Sequence, residues 1–177
     1  MLRLFTLLLA LTITAPAIAA NIGEPIPHTL SVMDQHGEPQ SFDALKGEKG
    51  AVIVFVRSVD WCPYCQAQLI ELGKSSANIA EKGYNLISIS YDSVESQKKF
   101  SDKYDFKYTL LSDEGSEIIK AFGILNEEMK EGSSYYGVPR PAIYIVGADG
   151  TIQNILKEEG YKQRPPTQNI LDKIDLR

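Results

Sequence analysis

The sequence is poor in the residues that would leave its chemistry open to many readings. Of 177 residues, two are cysteine, two are histidine and one is tryptophan. Both histidines, His28 and His36, lie well before either cysteine, and zinc usually takes four ligands. A metal centre therefore has little to build on. The 18 Lys and Arg are outnumbered by 23 Asp and Glu, for a formal net charge of -5, and the basic residues are scattered. Neutralising phosphates needs clustered cations, so nucleic acid is excluded as a partner. No internal repeat or low-complexity tract is present.

What is present begins with a segment expected to be removed. Met1-Leu2-Arg3 supplies one positive charge, Leu4 to Ile13 is almost wholly apolar, and Thr14-Ala15-Pro16 breaks the run. Ala17-Ile18-Ala19-Ala20 then offers small residues at the spacing a signal peptidase reads. Residues 1-20 are expected to be a cleaved signal peptide, cut after Ala19 or Ala20, and residues 21-177 to form one domain. The alternative is an uncleaved anchor, but the apolar run is short of the roughly 20 residues a bilayer span needs. No cysteine follows it to carry a lipid. The mature protein is expected to be periplasmic or secreted, not stably inserted in a membrane, with its thiols in an oxidising compartment.

From Asn21 onward, patterning alternates between strands and helices. His28 to Met33 reads as a short strand, Asp34-Gln35-His36-Gly37 as a turn, and Glu38 to Phe42 as the second arm of a hairpin. Ser41 can also start a helical turn through Leu45. Ala51 to Val56 is a continuous β-branched and apolar run, the mark of a central strand covered on both faces. Cys65, Leu69, Leu72 and Ile79 share one helical face, with Gly83 as the stop. Tyr84 to Tyr91 is the next strand. Asp92-Ser93-Val94-Glu95 has the spacing of a capping box opening a helix to about Tyr104. Tyr108 to Leu111 is a strand, Ser116 to Phe122 a helix, and Asn126 to Gly137 a loop near the site. Pro141 leads into a strand to Val146, Ala148-Asp149-Gly150 turns the chain, and Thr151 to Leu156 returns. Thr167 is expected to cap a last helix through Ile174. The fold class is α/β: a central mixed β-sheet with helices on both faces and an N-terminal β-hairpin extension.

Both cysteines fall in Trp61-Cys62-Pro63-Tyr64-Cys65, directly after the buried strand. If the helix starts at Pro63, that proline takes the first helical position, where its missing N–H costs nothing. Cys62 is then the N-cap, its sulfur facing the free N–H groups of Tyr64 and Cys65. Those donors and the helix dipole favour a thiolate. Cys65 lies one turn inward and should be the more shielded sulfur. Cys62 is thus expected to attack and Cys65 to resolve by closing the Cys62-Cys65 disulfide. Asp60 would raise the Cys62 pKa if it pointed at the sulfur, whereas Arg57 or Arg140 would lower it. Two other uses of the pair stand beside this one. An inert disulfide would stabilise weakly, because so small a ring removes little unfolded-chain entropy. A copper- or zinc-handling module would need further ligands.

The motif after its hydrophobic strand resembles the active site of the thioredoxin superfamily, and Cys-Pro-Tyr-Cys is the pairing familiar from glutaredoxins. The wider chain resembles the alkyl hydroperoxide reductase/thiol-specific antioxidant (peroxiredoxin-like) branch. Ile89-Ser90-Tyr91-Asp92, Leu110-Leu111-Ser112-Asp113, Lys120-Ala121-Phe122-Gly123 and Pro139-Arg140-Pro141-Ala142-Ile143-Tyr144-Ile145-Val146 carry that likeness. The resemblance implies a thioredoxin-like fold and no cofactor beyond the dithiol. It implies that Pro141, or its rival Pro139, forms a cis bond opposite the cysteines, and that Trp61 shields the disulfide. Peroxiredoxins carry Pro-x-x-x-Thr-x-x-Cys, with an arginine that joins the threonine on peroxide and thiolate. Here Phe55 and Val59 stand at the proline and threonine positions, and Arg140 is offset by one residue from the arginine. Val56 stands where thioredoxins bury an aspartate; Glu71 or a water would have to replace it. The expected function is thiol–disulfide exchange with protein disulfides or thiols, supported by an upstream thiol reductant. The alternative is a thiol peroxidase acting on hydroperoxides through Cys62.

Overall fold

The computed structural model describes residues 20–176. Nearly all of the expected signal peptide, residues 1–19, lies outside that range. Strand β2 (Gly50–Phe55) runs through the middle of a six-stranded sheet, and every one of its residues is buried. A strand covered on both faces can be apolar throughout, as Ala51 to Phe55 is. Parallel to it lies β3 (Tyr84–Ser90), and parallel to that β4 (Thr109–Ser112). On the other side β5 (Ala142–Gly147) and β6 (Ile152–Leu156) form an antiparallel hairpin that closes the sheet. Strand β1 (Met33–Asp34) pairs antiparallel with the outer edge of β4, giving the order β1-β4-β3-β2-β5-β6.

The period-2 alternation of β2 sorts its side chains into two cores. Val52 and Val54 face the long helix α2 (Pro63–Glu81), with Cys65, Leu69, Leu72 and Ile79 on its inner stripe. Helix α3 (Val94–Tyr104) contributes Phe100 to that side, and α5 (Thr167–Asp175) contributes Ile170 and Ile174. Ala51, Ile53 and Phe55 face the opposite way, toward Phe42 of α1 (Phe42–Leu45) and Ile118 and Ile119 of α4 (Glu117–Ala121). Helices therefore cover both faces of one mixed sheet, as patterning predicted.

Three local expectations are corrected. The N-terminal hairpin has its turn, built by the Asp34 carboxylate accepting from His36 N and Glu38 N, and one bridge between Met33 and Pro39. Its arms are far shorter than predicted. Leu30 sits at φ 57, which breaks the extended run, and β1 uses its pairing on β4. The cap of α3 is Ser93, whose side chain accepts from Ser96 N, so Asp92 is free for another task. Pro166 precedes α5, and Thr167 donates its hydroxyl to Glu71 at 2.8 Å instead of capping. Gly83, at φ 86, ends α2 as expected.

Candidate active site

Two parallel strands in register end side by side, so the loops that follow them must meet. Phe55 of β2 pairs with Ile89 of β3, which brings residues 57–59 beside residues 91–92 at the carboxyl end of the sheet. Asp92 fills that junction. Its Oδ1 accepts from Ser58 Oγ at 2.7 Å, and its Oδ2 accepts from Val59 N at 2.7 Å and Ser90 Oγ at 2.5 Å. Gln97 of α3 donates to Ser90 Oγ at 2.7 Å, and Ser58 Oγ in turn accepts from Asp60 N and Trp61 N. A continuous hydrogen-bonded chain thus runs from α3 to the residue before Cys62. Burial raises the Asp92 pKa, opposed by these donors.

Beyond that turn, α2 begins as the sequence predicts. Cys62 is the N-cap and Pro63 the first helical residue. Cys62 Sγ accepts from Cys65 N at 3.3 Å, while the Cys62 carbonyl accepts from Cys65 N and Gln66 N. Tyr64 N, the second donor expected, is not among the partners of the sulfur. The two sulfurs are joined as a Cys62–Cys65 disulfide. Cys62 is 2% exposed and Cys65 0%, so exposure barely separates them. Their surroundings do. Cys62 sits on the helix N-terminus, whereas Cys65 Sγ receives a hydrogen bond from Arg164 Nη2 at 3.4 Å.

A belt of aromatic and cationic side chains surrounds the pair. Trp61 packs on the cluster holding both cysteines, donates from Nε1 to the Tyr91 hydroxyl at 2.9 Å, and meets the Tyr135 ring edge-on at 4.8 Å. Arg57 lies 4.9 Å from the Trp61 ring and 4.5 Å from the Tyr161 ring. Tyr64, exposed on the first turn of α2, meets Tyr161 edge-on at 6.3 Å. Tyr135 comes from the loop that the sequence placed near the site. Tyr161 and Arg164 come from the connection between β6 and α5.

Other predicted groups lie elsewhere. Arg140 turns to Glu128 at 3.4 Å, on the wall of a cavity of about 170 Å³ that Arg57, Pro139, Pro141 and Tyr161 also line. Of the two arginines considered for a cysteine, neither touches sulfur; Arg164 does. Pro141 immediately precedes β5, yet neither its bond nor that of Pro139 is cis, since no described residue has a cis peptide. That expectation is corrected. Asp60 points no side-chain hydrogen bond at the sulfur; its backbone carbonyl accepts from Gln66 Nε2. Glu71 is tied to Thr167 on the surface. Among the described residues, no group of three or more His, Cys, Asp or Glu side chains converges as a metal site requires.

Sequence reasoning missed Asp92 and Arg164. The first was legible in principle, because adjacent parallel strands of known register place their following loops together. For the second, nothing near Tyr161-Lys162-Gln163-Arg164 marks a contact 99 residues away.

A disulfide at a helix N-terminus, set at the end of a thioredoxin-like sheet, is an arrangement suited to a cysteine-based oxidoreductase. Residues 22–155 match the model of the AhpC/TSA family, and the chain belongs to that family. Peroxiredoxin Q, chloroplastic, of Sedum lineare is 32% identical over 136 residues, covering 76% of this chain and 67% of that protein. Peroxiredoxin Bcp of Escherichia coli strain K12 is 28% identical over 128 residues, covering 72% and 80%. In fold, the chain is similar to peroxidoxin BcpB from Mycobacterium tuberculosis, with a TM-score of 0.74 at 19% identity over 88% of this chain and 95% of that one.

Proposed function

We propose that the protein is an exported thiol peroxidase in which Cys62 reduces hydroperoxides and Cys65 resolves. The membership of the AhpC/TSA family, with relatives named peroxiredoxin, carries this reading over the exchange reaction that sequence patterning put first. The Cys62 thiolate attacks one peroxide oxygen, the O–O bond breaks, and the departing alkoxide or hydroxide takes a proton. Cys62 is left as a sulfenic acid. The Cys65 thiolate then attacks Cys62 Sγ, expels hydroxide, which leaves as water after protonation, and forms the disulfide. The structure holds the two sulfurs as that disulfide. Two electrons from a thiol reductant restore the dithiol. Hydroperoxides and an upstream thiol are therefore the partners proposed.

One observation favours a second reading, thiol–disulfide exchange with protein partners. Val59 is 2% exposed, and its aliphatic side chain stands where the resembling motif has a hydroxyl to orient peroxide. The two readings share the reductive half of the cycle and differ in what oxidises Cys62. Stopped-flow mixing of the reduced protein with hydrogen peroxide separates them. A rate far above that of free cysteine, with Cys65→Ser halting at a sulfenic acid, is the expected result. A rate no better than free cysteine sinks the peroxidase and leaves exchange. Export is supported by the Arg3, Leu4–Ile13 and Ala17–Ala20 pattern. Mass spectrometry of the protein from its native host should find a chain starting at Ala20 or Asn21; a retained Met1 would refute cleavage.

A further inference from the structure

The connection between β6 and α5, residues 157–166, forms a strap over the dithiol and brings a second guanidinium to it. Arg57, only 8% exposed, is held between the Trp61 and Tyr161 rings. Arg164 reaches Cys65 Sγ with Nη2, while its Nη1 donates to the carbonyls of Tyr161 and Gln163. The Nε of each arginine is buried without a hydrogen-bond partner. Neither guanidinium is in an ion pair among the described residues. The acids that share a cavity wall with Arg57 do not serve it: Glu128 is paired with Arg140, and Glu158 makes no ion pair with Arg57. Burial first, and then the charge of Arg57, push the Arg164 pKa down to about 10.

One cation buried and a second partly withdrawn from water beside it, with no anion paired to either, are costly. In the oxidised protein the sulfurs cannot help, because a disulfide is neutral. Reduction places a negative charge on sulfur. We infer that Arg164 is a catalytic residue of the redox cycle, stabilising the Cys65 thiolate that leaves when the disulfide is opened at Cys62. The inference rests on the reading that the Cys62–Cys65 couple cycles. In the step itself, an incoming thiolate attacks Cys62 Sγ and forms a new S–S bond. The Cys62–Cys65 bond breaks, and its electron pair stays on Cys65 Sγ beside Arg164 Nη2. In the oxidative half, the same contact presents Cys65 as a thiolate to the oxidised Cys62. Each sulfur thus has its own source of positive potential: the helix N-terminus for Cys62, and Arg164, backed by Arg57, for Cys65. The hydrogen bond of the oxidised state is the reduced state's ion pair, already in place.

A purely structural alternative predicts the opposite kinetics. If Arg164 merely fastens the strap, its loss bares the disulfide and speeds reduction. If it stabilises the leaving thiolate, its loss slows reduction, because a leaving thiol of higher pKa departs more slowly. The test equilibrates the purified protein with dithiothreitol buffers and separately follows its reduction by dithiothreitol. An opposite charge close to an ionising group is worth about one pKa unit or more. The equilibrium constant for reduction of Arg164→Met should therefore fall about tenfold, a potential more negative by about 30 mV. Its reduction rate should fall as well, and Arg164→Lys should recover part of both. Should Arg164→Met not fold, Arg164→Gln against Arg164→Lys makes the same comparison of charge. An equilibrium constant within about threefold of wild type, less than half a pKa unit, overturns the inference. So does faster reduction at unchanged equilibrium, which would leave Arg164 a fastener of the strap. A wild-type protein that does not cycle at all overturns the proposed function together with it.

Discussion

Two segments meet at the dithiol, and they are held by different forces. Residues 56–59 are all buried, and their polar groups are engaged by Asp92 and Ser58 in a chain that ends on α3. Residues 157–163 of the strap are all exposed, and Tyr161 is fixed by ring and cation contacts. Buried hydrogen bonds open only with much of the domain, whereas exposed stacking contacts open locally at small cost. The first segment therefore sets where Cys62 stands. The second lies against Cys65.

Removing the Asp92 carboxylate should break the first segment outright. Asp92→Ala orphans three donors, Ser58 Oγ, Val59 N and Ser90 Oγ. Each orphan costs about 1–3 kcal/mol, so urea denaturation should show a loss of about 3 kcal/mol or more. A loss below about 1 kcal/mol would mean that this network does not hold the turn. Tyr161→Ala tests the second segment. It strips one ring from Arg57 and should cost about 1 kcal/mol, the worth of a partly desolvated cation–π contact. Reduction of the disulfide by a small thiol should become faster; unchanged kinetics would show that the strap does not limit access.

The smallest effect is one of pH. Burial raises the pKa of Asp92, and of Asp113, above the ordinary aspartate value. Between that ordinary value and the raised one, the unfolded chain has lost protons that the folded chain keeps. Unfolding then releases protons, so stability falls as pH rises through that window and levels off above it. Asp92→Asn should flatten part of the slope, read from denaturation midpoints across mildly acid pH. The same slope in wild type and variant would mean that Asp92 titrates normally.

The sequence was most legible where a signal is local. Pro63 after Cys62 announces the start of α2, and the all-apolar run through Val54 announces a covered strand. It was misleading where a local signal had a competing tertiary use. Asp92 fits a capping box, yet Ser93 caps the helix because the carboxylate turns inward to the neighbouring loop. Thr167 likewise finds Glu71 instead of its own helix. The hairpin arms were overestimated because strand propensity at Thr29 to Val32 says nothing of the positive φ at Leu30. The cis proline came from resemblance alone, and the bond before Pro141 is trans. Arg164 had no local signal at all, since its meaning comes from a sulfur on another element.

The strap also fixes an order of events during synthesis. Cys62, Cys65 and the strands that position them are made well before Arg164, which follows Cys65 by 99 residues. A domain folds as a unit, so its parts wait for one another as the chain emerges. A growing chain therefore carries a cysteine pair without its strap, open to any oxidant or thiol nearby, until residues 157–166 have been made. The segment that lies against Cys65 in the finished protein cannot protect it while the chain is being made.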